Sequence, residues 1–274
     1  MAESNLIASM RSLLSPPSGV SVNTSNGVAV SPRHLSVPQV ARRHYARNFI
    51  RQAVCELRFP TIFEIDDRRP PSVFWNAVRR IFQTHDLISK VNLSPAKVEH
   101  GNAHRFTTPK GRWTAILRNS SVSLETFQYS SFEDFEENLR VIVNAASQMI
   151  DSEFYTRIGL RYINLLPIGD GSVDGWVNPV LIAPLAAGVL GDSSEFAGQV
   201  RGNTACGGYY FQHGIGVDQA ASASKGYVLD FDFYCDDVPV AKSWETIGVL
   251  HSEEHSLFRW ALGPKAQAYL EKGA

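Results

Sequence analysis

The sequence has 274 residues, of which 44% are hydrophobic and 19% charged, enough for one large domain or two small ones with a sizeable core. Its formal net charge of −1 at pH 7 by itself favours neither a nucleic acid nor a membrane surface as the partner. The longest apolar run, residues 179–190, is interrupted by Pro184 and is shorter than the ~20 residues of a membrane-spanning helix. We therefore expect no membrane association.

Charge is unevenly distributed along the chain. Residues 41–118 contain fifteen Lys and Arg against six Asp and Glu, whereas residues 119–274 contain nine against twenty. Two such halves can neutralise each other within one fold, or the basic half can present a face to a nucleic acid. In the second interpretation, Arg79 and Arg80 are the surface candidates for a nucleic-acid patch.

The three cysteines, Cys55, Cys206 and Cys235, are few and contain no CxxC pair. This usage is more typical of a reduced compartment than of a disulfide framework, and no secretory signal pattern is found. We therefore predict a cytoplasmic location, with Cys206 as a small core residue and His213 in a turn.

In chain order, residues 1–47 are predicted to be a flexible extension, because residues 15–40 are rich in Ser, Pro, Gly and Asn without a sustained period. Residues 48–274 are predicted to form a single domain. It begins with a half-buried strand over residues 53–60, in which apolar and polar side chains alternate. Ser72 is then predicted to cap a helix.

A three-strand meander follows, with turn residues at "PKG" and "NSS". Ser131 and Asp134 then form a capping box before a long amphipathic helix. Three further strands and a final helix complete the pattern, over residues 154–166, 205–215 and 227–235 and from Ser243. The fold class is therefore α+β: a mixed, mainly antiparallel sheet with a ferredoxin-like βαββαβ rhythm, one added strand and a C-terminal ββα extension.

Five segments carry a family resemblance: "CELRF", "LETFQYSSFEDFEENL", "RIGLRYIN", "LDFDFY" and "VLHSEEHSLFRW". Together they resemble a sporadically distributed family of uncharacterised bacterial proteins over about residues 48–262, and "GLRYIN" is the most specific element. The resemblance implies an association with mobile or defence loci. It implies no catalytic residues.

Three strands each carry one apolar and one charged side. Because side chains alternate along a strand, Arg157 and Arg161 share one side of "RIGLRYIN". Glu56 and Arg58 share a side of the first strand, and Asp230 and Asp232 share a side of "LDFDF". We expect all six on one face of one sheet. They form either an ion-pair lattice worth ~0.2–1 kcal/mol per pair, or a binding surface in which the arginines grip an anion.

Two short patterns suggest metals. Asp230 and Asp232 could both reach Mg²⁺. His251, Glu254 and His255 fit the H-x-x-E-H pattern of inverted zinc proteases. The first pattern is common and lacks a phosphate-binding loop, and the second is expected to be a solvated helix face. No cofactor motif is present, so we expect no cofactor.

These observations predict a non-catalytic binding or scaffold component with a protein partner, and the resemblance adds a possible place in a bacterial defence or mobile-element system. Two alternatives stay open. One is a nucleic-acid-binding module that uses residues 41–118, and the other is a metal-dependent hydrolase or nucleotidyl enzyme.

Overall fold

The computed structural model describes residues 34–41, 43, 45, 47–94, 97–169, 171–191, 195–218 and 224–272. These residues form one large antiparallel sheet of nine strands with five α-helices. Within the described part of the chain, no helix is both long and apolar enough to cross a membrane.

The nine strands follow one another in the sheet in the order β2-β3-β4-β5-β1-β6-β9-β8-β7, and every neighbouring pair is antiparallel. The central strands are therefore β1 and β6, which are far apart in sequence. The strands are β1 (Ile50–Arg58), β2 (Thr84–Ser94), β3 (Lys97–Thr107), β4 (Trp113–Arg118), β5 (Ser121–Thr126), β6 (Phe154–Leu166), β7 (Phe196–Asn203), β8 (Gly207–Asp218) and β9 (Ser224–Pro239).

The helices α1 (Ser72–Val78), α2 (Phe132–Ser147) and α4 (Ser243–Ala261) pack on one side of the sheet. The other two are α3 (Ala183–Ala186) and α5 (Pro264–Glu271). Helix α2 begins where the capping box predicts, because the Ser131 hydroxyl accepts a hydrogen bond of 3.2 Å from the backbone N–H of Asp134. The apolar stripes of α2 and α4 bury the central strands and form the main core.

Strand β6 shows the predicted alternation. Ile158 and Leu160 are fully buried against the helices, and Tyr162 is 6% exposed. Arg157 and Arg161, one residue out of phase, lie on the side that the helices do not cover. The register predicted from period-two alternation is therefore confirmed.

Two strands, β2 and β7, were not predicted, so the sheet is larger than the sequence indicates. The first helix is short and ends at Val78. Its N-cap position is Pro71, and Ser72 makes no capping hydrogen bond, so the prediction that Ser72 caps this helix is wrong. Ile81 lies beyond the end of the helix and is 40% exposed.

The described residues 34–41, 43, 45 and 47, which we call the strap, lie along the domain, and Leu35, Val37 and Tyr45 among them pack against its core. The backbone N–H of Leu35 donates to the carbonyl of Asn203 at 3.0 Å. The Arg259 guanidinium in α4 donates to the Tyr45 hydroxyl at 2.6 Å. The described strap residues are thus tied to the domain rather than forming a free extension. The predicted flexibility of residues 1–33 lies outside the described residues.

The cysteines differ from the prediction. Cys206 and Cys235 form a disulfide with their Cα atoms 5.0 Å apart, whereas Cys55 is free and buried. The expectation of reduced thiols is wrong for this pair, and Cys206 is an exposed residue, not a small core residue. Disulfides persist mainly in oxidising compartments, so the pair does not support the cytoplasmic prediction.

The predicted turn position of His213 is also wrong. His213 lies in β8, is 6% exposed, and its Nδ1 lies 2.8 Å from the Tyr227 hydroxyl. Burial lowers the pKa of its imidazole to about 4. His213 is therefore a neutral core residue at physiological pH.

Candidate binding face of the sheet

The candidate site is the side of the sheet that the helices leave uncovered, at β1, β6 and β9. Arg58 lies opposite Arg157 across the β1–β6 ladder, and Arg161 lies opposite Asp232 across the β6–β9 ladder. Directly opposed residues point to the same side of an antiparallel pair, and every second residue along a strand does too. Glu56 and Asp230 therefore join them, and all six predicted residues share this face.

The two predicted anion-gripping arginines are already engaged. Arg161 makes a bidentate pair with Asp230, with Nε to Oδ1 at 2.8 Å and Nη2 to Oδ2 at 2.5 Å. Arg157 makes a bidentate pair with Asp236, with distances of 2.6 and 3.2 Å. Arginines with both nitrogen edges occupied by internal carboxylates are poorly placed to grip a ligand. The hypothesis that this pair grips an external anion is thus not supported by the geometry.

Asp236 was not among the predicted site residues. It lies on the same alternation as Asp230 and Asp232, with Tyr234 between, so extending the period-two pattern to residue 236 would have found it. The remaining predicted pair is local, because the Arg58 guanidinium binds Glu56 on the same strand at 2.8 Å.

Burial differs sharply between the two bidentate pairs. The side chains of Arg161 and Asp230 are 23% and 11% exposed, whereas those of Arg157 and Asp236 are 37% and 44% exposed. Burial by itself lowers the pKa of Arg161. The hydrogen bonds to Asp230 and the negative charges of the nearby carboxylates outweigh burial, so the pKa of Arg161 is raised overall. Arg161 is therefore held in its charged form inside a partly desolvated ion pair.

Asp232 has no hydrogen bond or ion pair with a described residue that would hold its charge. Burial raises the pKa of its carboxyl to about 6, Arg161 opposes this rise, and Asp230 adds to it. The Asp232 carboxyl therefore changes its protonation state between mildly acidic and neutral pH.

The face forms a concavity of about 730 Å³ that reaches from β4 to β7. Five arginines and three carboxylates line it: Arg58, Arg118, Arg157, Arg161 and Arg201, with Glu56, Glu125 and Asp232. Asp230 and Asp236, which pair with two of these arginines, bring the carboxylates to five as well. The overall charge is therefore balanced.

The arginines at the two flanks are the least engaged. Arg118 is 3.9 Å from a Glu56 oxygen that belongs to a carboxylate already paired with Arg58. Arg201 lies over the Tyr210 ring, 4.6 Å from its centroid, and has no carboxylate partner within the described ranges. These two arginines, which sequence reasoning missed, are the cations of the face most available to a ligand.

The zinc-protease pattern in α4 does not form a solvated helix face, contrary to the prediction. Glu254 is 1% exposed, and the His251 ring stacks on Phe132 at 3.8 Å between centroids. Over the residues that the structure describes, no group of three or more His, Cys, Asp or Glu side chains is arranged to hold a metal ion. Asp230 is bound to Arg161 rather than free to join Asp232 at a magnesium ion.

The nucleic-acid candidates Arg79 and Arg80 are both exposed in the turn after α1.

Comparison with known proteins gives no relative: no protein-family model matches the chain, and no curated protein is significantly similar to it. The resemblance carried by "GLRYIN" therefore stays a prediction.

Proposed function

We propose that this chain is a non-catalytic binding protein that docks an acidic segment of a partner protein on the concave sheet face. The observation that carries the proposal is the pair of flanking arginines, Arg118 and Arg201, at the two ends of a concavity of about 730 Å³. Each has weak or no carboxylate pairing among the described residues.

The size and polarity of the face favour a macromolecular segment over a metabolite. Its lining runs across seven strands, so at ~4.8 Å per strand spacing a flat face would be about 29 Å wide. Sites for small molecules are usually enclosed and mostly apolar, whereas this lining is rich in charged side chains. An extended segment with spaced acidic groups could reach both flanks.

The central ion pairs fit a structural role within such a face. Arg157 and Arg161 are fixed by Asp236 and Asp230, and the Arg157 guanidinium also lies over the Tyr234 ring at 3.9 Å. The centre of the face would then be rigid, and Arg118 and Arg201 at its rim would orient the partner. Charged contacts at a rim mainly affect the association rate and the specificity.

The experiment is a titration of the purified full chain with a fluorescent oligo-glutamate peptide at low and moderate salt. In an Arg118→Ser/Arg201→Ser variant we expect at least a tenfold loss of affinity. Arg140→Ser is the matched control, because Arg140 pairs with Glu136 on α2, away from the face. Equal affinities for the double variant and the control would refute the proposed face, as would no binding of the peptide to the wild type.

A ferredoxin-like core is the finer fold proposal. It is supported by the adjacency β6-β1-β5-β4, together with α1 between β1 and the meander and α2 between β5 and β6. In this description the β2–β3 hairpin and the β7–β9 strands extend the two edges. A place in a bacterial defence or mobile-element system rests only on the resemblance over residues 48–262.

A nucleic-acid-binding module is the second candidate, and two observations favour it. Arg79 and Arg80 are exposed. In addition, β4 pairs with β3 only at residues 103–107, so residues 89–94 and 97–102 form a two-stranded ribbon beyond β4. Such ribbons can enter the major groove of DNA.

This candidate is tested by binding to single- and double-stranded DNA and RNA as a function of salt. Affinity should fall steeply with salt, because each neutralised phosphate releases counterions. Arg79→Glu/Arg80→Glu should weaken binding to all sequences, whereas Arg118→Ser/Arg201→Ser should not. No binding to DNA or RNA at low salt would refute the nucleic-acid-binding function.

A further inference from the structure

A second cavity lies on the opposite side of the sheet, between the strap, β6 and α4. Its volume is about 140 Å³, and its lining includes Glu254, Tyr129, Tyr162, His251 and Phe258. A cavity needs at least ~10–15 Å³ of such volume to hold one water molecule, so this one has room for roughly ten water-sized groups. It can therefore hold a small organic molecule.

The unusual group in this cavity is the Glu254 carboxyl. It is 1% exposed, and neither of its oxygens has a hydrogen bond of standard length and angle to a described residue, the backbone of Tyr162 giving at most a weak one. A buried polar group without a partner costs free energy, because it has lost the hydrogen bonds it makes in water. Such a group therefore needs an explanation, and a ligand that supplies the missing partner is one.

The surroundings of Glu254 disfavour its ionised form. Burial raises the pKa of the carboxyl well above its ordinary value, and the charges of Asp232 and Asp230 add to this rise. The backbone of Tyr162 and the Arg161 guanidinium act in the opposite direction but do not offset burial. A positive charge placed in the cavity would have a strong favourable interaction with the carboxylate.

Seven of the nineteen residues that line the cavity are Tyr or Phe. The Tyr129 and Tyr162 rings meet edge to face at 5.4 Å, and the Tyr162 and His251 rings do so at 5.9 Å. Phe258 lies edge to face with Phe231 at 6.3 Å. Aromatic faces attract cations, and this attraction grows when the cation is desolvated. A carboxylate combined with aromatic walls is the chemistry that recognises an organic ammonium group.

The two strap arginines that line the cavity do not oppose this assignment. Arg47 lies over the Tyr269 ring, 4.9 Å from its centroid, and Arg43 is 3.8 Å from a Glu271 oxygen. Both cations thus have partners of their own. A metal ion fits less well, since within the described part of the chain no three His, Cys, Asp or Glu side chains, those of this cavity included, are arranged to hold one.

We propose that this cavity binds a small organic cation with a primary ammonium group, held by the Glu254 carboxylate and surrounded by Tyr129, Tyr162 and Phe258. The site goes beyond the proposed function, because it lies across the sheet from the concave face and does not depend on Arg118 or Arg201. Either site can fail its test without affecting the other.

The test is calorimetric titration of the full chain with n-butylammonium chloride and, separately, with 1-pentanol, a neutral molecule of similar size and shape. We expect butylammonium to bind at least tenfold more tightly than pentanol. The variant Glu254→Gln keeps the side-chain shape but cannot ionise, so it should lose this preference. Glu253→Gln is the matched control, because Glu253 is the neighbouring carboxyl and does not line the cavity.

Three results would overturn the proposal. Equal affinity for the two probes would show an apolar cavity without a preference for cations. Undiminished butylammonium binding in Glu254→Gln would place the cation elsewhere. No binding of either probe to the wild type would make Glu254 a buried acid without a ligand.

Discussion

Replacing Arg161 by Ala tests how much the centre of the concave face contributes to stability. The sequence suggested a surface lattice, for which such a change would cost on the order of 1 kcal/mol or less. The structure instead shows a bidentate pair in which Asp230 is 8% exposed as a residue. Removing one partner of a buried pair leaves the other charge uncompensated, which costs ~3–5 kcal/mol. Because the Arg161 side chain is 23% exposed, we expect a value near the lower end.

The control is Arg157→Ala. Its pair with Asp236 has the same bidentate geometry, but the two side chains are 37% and 44% exposed, so the loss should stay within ~0–1 kcal/mol. Urea denaturation measures both variants, and Arg161→Ala should lower the midpoint with an unchanged slope. The double variant Arg161→Ala/Asp230→Ala should recover part of the loss, since the Asp230 carboxylate is no longer left without its partner. Equal costs for the two single variants would refute the claim that burial decides the strength of these pairs.

The remaining predictions concern the core, the titration of the face and the disulfide. Leu160→Ala should destabilise the fold by ~2–5 kcal/mol in the same urea assay, because Leu160 is fully buried and its removal leaves a cavity; a cost below that of Arg157→Ala would contradict the register. The pKa of Asp232 is about 6 in the folded protein, above its unfolded value. Its protonated form therefore stabilises the fold below about pH 4, and this contribution is lost as the pH rises through 6. Asp232→Asn, which cannot ionise, should therefore become more stable relative to wild type between pH 4 and 7, by at most about 3 kcal/mol; a pH-independent difference in urea midpoints would argue against this shift. In the denatured, unreduced protein, mass spectrometry after alkylation should find label only on Cys55, and labelling of Cys206 without reductant would exclude the disulfide.

The faces of the central strands could be predicted because their sequences alternate cleanly. In β1, β6 and β9, one side is apolar and buried while the other is charged, and a shift of one residue would exchange the two. That constraint is local to each strand, so a single sequence is enough to read it. The pairing of Arg161 with Asp230 rather than with Asp232 depends on side-chain geometry across strands, which no spacing rule fixes.

Strand β7 was missed because close packing at the sheet edge replaces alternation with glycine. A Cβ atom at Gly198 would collide with the His213 ring, and one at Gly202 would collide with the Tyr209 ring. The two glycines allow β7 to lie over these large rings of β8, but they also remove the period-two signal and resemble a loop in sequence. An edge strand of this kind is recognisable only once its partner is known.

The environment of Glu254 could not be predicted for a related reason. "HSEEH" in α4 has the composition of an exposed helix face, and the strap that lies against it has the composition of a flexible tail. Neither segment signals by itself that the other is nearby. The hydrogen bond of 2.6 Å between Arg259 and Tyr45 is a contact between residues 214 positions apart. Contacts between segments so far apart in the sequence leave no periodic pattern in either one. The burial of Glu254 could therefore be found only from the structure.

Strand β6 links the two candidate sites. Arg161 projects into the concave face, and the next residue, Tyr162, lines the cavity on the helical side. The same acids act on both sides, since Asp230 and Asp232 raise the pKa of Glu254 through the sheet while Arg161 lowers it. A cation beside Glu254 would be attracted through the sheet by the negative charges of the concave face, and an acidic segment bound on that face would further disfavour ionisation of Glu254. If both sites bind their proposed ligands, the two ligands interact through these charges without any movement of the backbone, and by linkage each changes the binding free energy of the other by the same amount.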